Sequence, residues 1–523
     1  MHVKFDLPGF TEHDALRLAR DHYGLIASVK ALPGERDQNF YLKAHTGEEY
    51  VLKIANLSDE TDILDLQNKT LAHLARHAPG ISIQRVVAAT SGQTIIALSS
   101  GSGRTHLLRL LTYIPGDVWA NVNPHPPELL HGLGHVLGTI DCALLEFSHP
   151  AARRPLKWDL ARANWIRGYV QYITDASRRA LVERILADYE SQVVPAFPRL
   201  RASVIYNDAN DYNILVSDDD TRNRRVISVI DFGDMLHSHT VCDLAIGCTY
   251  AIMGKPDPLM AAMHVVAGYH QALPLTEPEL EVLFPLILTR LAVSVTNSAY
   301  QRQADPDNEY LLISERPAWV LLDRLADVPL QFGHYAFRHA CGLSACPTTP
   351  AMVEWLTANA DQIGNIVEPS LTESKPVVFD LSVESAQLGS HSEFEDAASL
   401  ARKLLNQMQA EGATVGIGRH DEARALYTTD DFRIDGNSGP EWRTVHLGLD
   451  IFLQSGAPIF APLDGKVECV GGTTLVLRHG LETGPKTSEI KRHVDVLREL
   501  LRVVEPKPGP YSAVLDWVAS NAG

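Results

Sequence analysis

Two short stretches limit this chain more than anything else in it. The first is Val204-Ile205-Tyr206-Asn207-Asp208-Ala209-Asn210-Asp211-Tyr212-Asn213-Ile214-Leu215-Val216, where an aspartate and an asparagine stand five positions apart between two apolar runs. The second, Val229-Ile230-Asp231-Phe232-Gly233, reads as an apolar strand ending in an acid and a glycine turn. Moving a phosphoryl group needs little covalent chemistry from a protein. It needs a lysine on the nucleotide phosphates, a carboxylate beside the acceptor hydroxyl, and oxygen ligands for magnesium. An Asp with an Asn at this spacing, followed after a strand by a further Asp, offers the last two, and the pair of stretches is far more specific than either alone.

The lysine is found upstream. Alternation in Tyr41-Leu42-Lys43-Ala44, a Thr46-Gly47 turn and Tyr50-Val51-Leu52-Lys53-Ile54 predict a β-hairpin with Lys53 in its second strand. Alone, Lys53 would read as a snorkelling or edge-strand lysine; the two downstream loops make it the candidate phosphate ligand. Gly34, in Leu32-Pro33-Gly34-Glu35, is a candidate for a phosphate-covering loop, although Pro-Gly is also an ordinary turn. Ser58-Asp59-Glu60 opens a helix with Ile63, Leu66, Leu71 and Leu74 on its apolar face, stopped by Pro79-Gly80. From about residue 125 to 345 the periodicity is mostly helical, as in Leu129 to Leu144 and Leu286 to Val295, broken by a short β segment around 204–231. The expected fold class is α+β: a small β-rich lobe (1–114) followed by a larger helical lobe (115–345) carrying the two loops.

Composition excludes several function classes. The 523 residues suggest about three domains. A net charge of −18 opposes a nucleic-acid-backbone binder, and 45% hydrophobic with 21% charged residues is the balance of an ordinary globular chain. The six cysteines form no CxxC pair, as in a reducing compartment. The N-terminus lacks a charged segment followed by an apolar one, and no apolar run approaches the ~18 residues of a spanning helix, so neither nucleic acid nor membrane is an expected partner and the expected location is cytoplasmic.

Residues 1 to about 345 resemble the aminoglycoside phosphotransferase/choline kinase superfamily, most closely its hydroxylysine kinase-like branch. Carrying the resemblance are Asn207-Asp208-Ala209-Asn210-Asp211-Tyr212-Asn213, Ile230-Asp231-Phe232-Gly233-Asp234 and Cys242-Asp243-Leu244-Ala245, with Arg290 to Tyr300 and Asn308-Glu309-Tyr310-Leu311 less diagnostic. It implies a two-lobed protein-kinase-like fold and transfer of phosphate from ATP or GTP, with Mg2+, to the hydroxyl of a small, often amino-bearing molecule. Carried over, Asp208 is the catalytic base, Asn213 and Asp231 are magnesium ligands, Lys53 binds the phosphates, and the nucleotide base lies against a hinge at Thr112-Tyr113-Ile114-Pro115. The family's lysine partner on the next helix is normally Glu; Glu60 and Gln67, seven apart, are both open to that role. Tyr206 stands where the family usually has His, which puts full activity in question and keeps a non-catalytic, nucleotide-binding reading open. Asp211 and Asp234 are candidates for holding a substrate ammonium, or else brace the loops together with Asp243.

After Cys346, residues 346–376 read as a linker and 377–480 as a smaller β-rich domain with one helix from Glu393 to Ala410. Residues 444–467, with His446 and Asp450 four apart, resemble the lysostaphin-type zinc endopeptidase family. That family completes its metal site with a later His-x-His, which does not occur here. His446 and Asp450 are therefore expected to be vestigial zinc ligands, and His237-Ser238-His239 a feature of a loop in the other domain. A zinc metallopeptidase is the rival reading. The order of domains is similar to bacterial fusions that continue into a pyridoxal-phosphate lyase, so a separate lyase is an expected partner or the chain a truncated relative. The tail, 481–523, reads as an amphipathic packing helix from Glu489 to Val504. The preferred acceptor is an amino alcohol such as 5-hydroxylysine, with ethanolamine, homoserine or an aminoglycoside behind it.

Overall fold

The structure is a computed structural model. It describes residues 8–479 except 35–36, 58–59, 100–104, 219, 221, 305–314, 369–370, 372–373, 386–387, 389–396, 425–426, 428–431, 438, 447, 455–456, 462–464 and 472–473. Two compact units emerge, Met1–Cys341 and Gly342–Gly523.

The first unit begins with helix α1 (Glu12–Tyr23), whose Thr11 and Asp14 form a reciprocal capping box. An antiparallel sheet follows: β1 (Ala27–Leu32), β2 (Gln38–Ala44), β3 (Glu49–Ile54), β4 (Val86–Val87), β5 (Ile96–Ser99) and β6 (Thr105–Thr112), in the order β1-β2-β3-β6-β4 with β5 also on β6. The hairpin read from the sequence is β2–β3, with Gly47 at φ 104°, where a side chain would be strained. Period-two burial puts Phe40, Leu42, Leu52, Ile54, Leu108 and Leu110 into one core with Ala15, Leu18 and Ala19 of α1. Helix α2 (Thr61–His77) lies between β3 and β4 in the chain; of its expected cap, only Glu60 is described, and it makes no side-chain cap bond.

Beyond β7 (Asp117–Val118) the unit is helical: α3 (Pro127–Leu144), α4 (Ala176–Asp188), α5 (Val241–Ala251), α6 (Pro258–Ala272), α7 (Glu277–Ala304), α8 (Glu315–Leu325) and α9 (Leu330–Ala340). Four short strands are set among them: β8 (Ala202–Ile205), β9 (Ile214–Val216), β10 (Val226–Val229) and β11 (Leu236–His239), pairing as β10-β9-β7 and β11-β8. Helices α3 and α6 touch backbone to backbone. A Cβ on Gly134 would meet the Val265 carbonyl at 1.8 Å, and one on Gly268 would meet that of His131 at 1.9 Å.

Two sequence expectations are corrected in this unit. His237-Ser238-His239 is strand rather than loop, because residues 236–239 pair in register with 202–205 and the His239 ring stacks on Phe197. Helix α7 does contain a stretch long and apolar enough to cross a bilayer; it escaped notice because Arg290 interrupts the apolar run, and the structure buries it wholly as a core helix. Asn308 to Leu311 lie outside the described residues.

In the second unit, the stretch read as a linker carries a helix, Thr349–Ala358. Val377–Phe379 pairs in parallel with Gly416–Gly418, which pairs antiparallel with Asp450–Phe452. Leu404 and Met408 of the helix Ala397–Glu411 pack on Val377 and Phe379, while Ile459 makes only a single bridge, to Val367. Residues 393–396 of the expected helix, and the tail helix, lie outside the described residues.

Candidate active site

Strands β8 and β9 bracket the first loop, and β10 leads into the second, so three short buried strands bring Asp208, Asn213 and Asp231 together. The amide of Ile230 donates to the Asn213 carbonyl (2.9 Å), which fastens one loop to the other. Two non-glycine residues take positive φ here, Asn207 at 65° and Asp231 at 61°. Such conformations persist where surrounding bonds enforce them. For Asn207 those bonds are on view: its amide donates to Asp243 Oδ1 (2.6 Å) and its Nδ2 to the Asp234 carbonyl (3.1 Å).

The Asp208 carboxyl is gripped from both sides. Asn210 Nδ2 donates to Oδ1 (2.9 Å) and Asn213 Nδ2 to Oδ2 (2.7 Å). Burial pushes its pKa up to about 8, reinforced by Asp234 and Asp231 and opposed by Asn210 and Arg290. Asp231 is open to solvent, whereas Asp234 is buried. Asp211 is raised by burial, and its carbonyl accepts from the Ala120 amide (2.9 Å). Tyr206 is fully buried; its hydroxyl donates to the Ile230 carbonyl and its ring sits edge-on to Phe232 at 5.0 Å.

Lys53, nearly buried on β3, lies 3.7 Å from Asp231 Oδ1 and 3.7 Å from Asp37 Oδ2. Neither Glu60 nor Gln67 is the carboxylate beside it. Gln67 and Asn68 instead accept from Arg109 (2.7 and 2.9 Å), which stands opposite Lys53 on β6 and is 2% exposed. Asp37, held through Oδ1 by the Asn56 amide (3.2 Å), went unread because no periodicity marks a loop residue. Gly34 leaves no space for a side chain: its Cβ would lie 2.2 Å from the Asp37 carbonyl oxygen. Tyr113 gives its amide to the Glu49 carbonyl (2.9 Å) and its ring edge to Tyr41 (5.0 Å). With residues 79–83, Arg85 and 112–115 it lines a cleft of about 430 Å³.

Arg154 was also missed. Its guanidinium donates to the carbonyls of Gly233 (2.5 Å) and Met235 (2.7 Å), tying the loop after β7 and α3 to the turn that follows Asp231.

In the second unit His446 and Asp450 do meet, at 3.3 Å. The Asp450 carboxylate is also bound by Arg424 (2.7 Å), which Glu422 holds, while the Tyr427 hydroxyl lies 2.6 Å from His446 Nδ1. Among the described residues no group of three metal-ligating side chains assembles. A fixed guanidinium there opposes a dication by like-charge repulsion.

Residues 28–279 match the family described as phosphotransferase enzyme family. The chain is 30% identical over 334 residues to hydroxylysine kinase of Danio rerio, covering 62% of this chain and 94% of that protein. Against hydroxylysine kinase of Xenopus laevis it is 31% identical over 343 residues, covering 61% and 91%. Among solved structures it is similar to a microcompartment-associated aminopropanol kinase, at 15% identity and a TM-score of 0.48, covering 61% of this chain and 99% of that one.

Proposed function

The chain belongs to the phosphotransferase enzyme family, in the branch of the hydroxylysine kinases, and is a small-molecule kinase; from that premise we propose that it moves the γ-phosphate of ATP or GTP to the hydroxyl of a hydroxylysine-like amino alcohol. The observation that carries this reading is the Asp208 carboxyl, gripped by Asn210 and Asn213, with Lys53 at 3.7 Å from Asp231. A cation, a base and a solvent-open acid thus converge from three separate parts of the chain.

In this reading Asp208 orients the acceptor hydroxyl and takes its proton as the bond to phosphorus forms. Asn210 and Asn213 hold that carboxyl in one orientation. Lys53 leaves Asp231 for the nucleotide phosphates and keeps Asp37 as its neighbour. Asn213 and Asp231 would hold the divalent cation, which would relieve the repulsion that Asp234 and Asp231 exert on Asp208. One or two protein ligands suffice for magnesium, and the ion would offset charge on the transferring group. The phosphorylated amino alcohol suits a separate pyridoxal-phosphate lyase. His446 and Asp450, with Arg424 beside them, are read as a zinc site that has lost its metal chemistry.

The test is nucleotide turnover with magnesium against a panel of amino alcohols and aminoglycosides. Asp208→Ala should lower kcat by at least about 10²-fold, the usual contribution of a positioned base, while nucleotide binding persists. Turnover by the variant equal to that of the wild type removes Asp208 from the role.

A further inference from the structure

We infer that Asp37 is the positioning residue of Lys53, so that the acid which aims the lysine at the nucleotide comes from the loop carrying Gly34 and not from α2. The inference deepens the kinase reading and rests on it.

Among the described residues two carboxylates pair with Lys53, Asp37 and Asp231, each at 3.7 Å. Their surroundings give them different tasks. The Asp231 side chain is 49% exposed and is the candidate ligand of the divalent cation, so its charge is committed elsewhere once the site is loaded. The Asp37 side chain is 19% exposed, where water screens an ion pair less. A carboxylate has two oxygens, so one can be anchored while the other faces an ammonium. Asp37 is held in that way: Oδ1 accepts from the Asn56 amide (3.2 Å) and Oδ2 faces Lys53. Asn56 follows Lys53 by three residues, and the β2–β3 register sets Gln38 opposite Ile54. The hairpin itself therefore brings Asp37 to the end of the lysine's strand.

The turn before Asp37 folds onto it. Asn39 Nδ2 donates to the Pro33 carbonyl (3.3 Å), and a Cβ on Gly34 would lie 2.2 Å from the Asp37 carbonyl oxygen and 2.8 Å from Asn39 Nδ2. A residue without a side chain is what lets the backbone approach so closely. Helix α2 is engaged with other partners. Its buried Gln67 and Asn68 accept from Arg109, and its Asp65 pairs with Lys69 (2.7 Å) and His149 (3.1 Å). Asp37 is thus the acid that stays with Lys53 when Asp231 turns to a cation, and α2 is a brace on the sheet.

The charge of Asp37 makes the role testable by sign. A carboxylate close to a polyphosphate repels it, so an Asp37 with no hold on the lysine would leave nucleotide binding tighter when neutralised. An Asp37 that aims Lys53 leaves binding weaker. The experiment is calorimetric titration of ATP with magnesium into the full-length wild type, Asp37→Asn, Asp37→Glu, Lys53→Met, the double variant Asp37→Asn with Lys53→Met, and Glu60→Gln. Asp37→Asn should raise Kd about tenfold, the size of a charge-assisted contact, and Asp37→Glu, which keeps the charge, should recover part of the loss. In the Lys53→Met background the same Asp37→Asn change should cause no further loss, as action through the lysine requires. Glu60 makes no side-chain cap bond on α2, and Glu60→Gln should leave Kd unchanged. Equal or tighter binding by Asp37→Asn overturns the inference and leaves the kinase reading standing. An equal loss in both backgrounds overturns it too, since Asp37 would then act without the lysine, and so does a loss in Glu60→Gln as large as that in Asp37→Asn. Should Lys53→Met not fold, Asp37→Glu decides: partial recovery supports the inference, and a loss equal to that of Asp37→Asn overturns it. Absence of ATP binding by the wild type would remove the kinase reading and the inference together.

Discussion

At the scale of single residues, Tyr206 links the two loops that carry Asp208 and Asp231. Its hydroxyl spans from the loop before Asp208 to the carbonyl that precedes Asp231, and its ring locks against Phe232. The buried phenol ties the two loops through its bonded hydroxyl. Burial and the surrounding aspartates, Asp208 first, push its pKa well up, so it stays a neutral donor throughout the working range. Removing the hydroxyl strands a carbonyl inside the protein, which costs about 1–3 kcal/mol. Tyr206→Phe should lower thermal stability by that amount and reduce kcat without moving the KM for nucleotide. Unchanged melting would mean that the hydroxyl does not tie the two loops.

At the scale of elements, the loop of Asp208 depends on how three helices meet. The glycine contact of α3 with α6 brings Tyr269 within 2.6 Å of Asp141 Oδ2, and α5 brings Asp243 to the Asn207 amide. Asp141 and Asp243 are fully buried, and the charge of Asp243 acts on Asp141. Oδ1 of the first and Oδ2 of the second are buried and accept from no donor. Two acceptors can satisfy each other only when one carboxyl keeps its proton. The groups facing the pair are Cys242 on α5, Tyr269 on α6 and Arg201, whose charge is taken by Glu279. Burial raises both carboxyls, and Asp243 raises Asp141 further. The folded chain therefore holds protons that the unfolded chain releases at about pH 4. Stability from this pair is complete below that pH and is lost as pH rises through the raised values. Asp141→Asn, neutral at every pH, should show a shallower fall in Tm from acid to alkaline pH than the wild type. Parallel slopes would rule out the shared proton.

At the scale of the whole molecule, metal dependence separates the two chemistries that the chain suggests. The first unit fastens the strand end before Asp231 to Asn213 through the Ile230 amide, whereas the second sets a guanidinium against Asp450. EDTA should abolish phosphotransfer and excess magnesium restore it. Zinc should neither raise the melting temperature nor elicit peptide hydrolysis. Zinc-dependent hydrolysis would return the metallopeptidase reading to first place.

The loops around Asp208 and Asp231, the lysine strand and the helical body were legible because they are local: chemistry-bearing residues at short spacing, and periodicities of two and 3.6, survive in a linear string. The sequence by itself therefore determined the reaction class and the residues to mutate first. Contacts across long stretches of chain were decided only by the tertiary structure. Asp37, just before β2, neighbours Lys53, and Arg109, arriving from β6, engages Gln67 and Asn68 of α2. His446 and Asp450 sit beside a cation because Arg424, two dozen residues upstream, folds back onto them. In each case burial makes a charge seek a partner, and which partner it finds depends on packing that no spacing rule records.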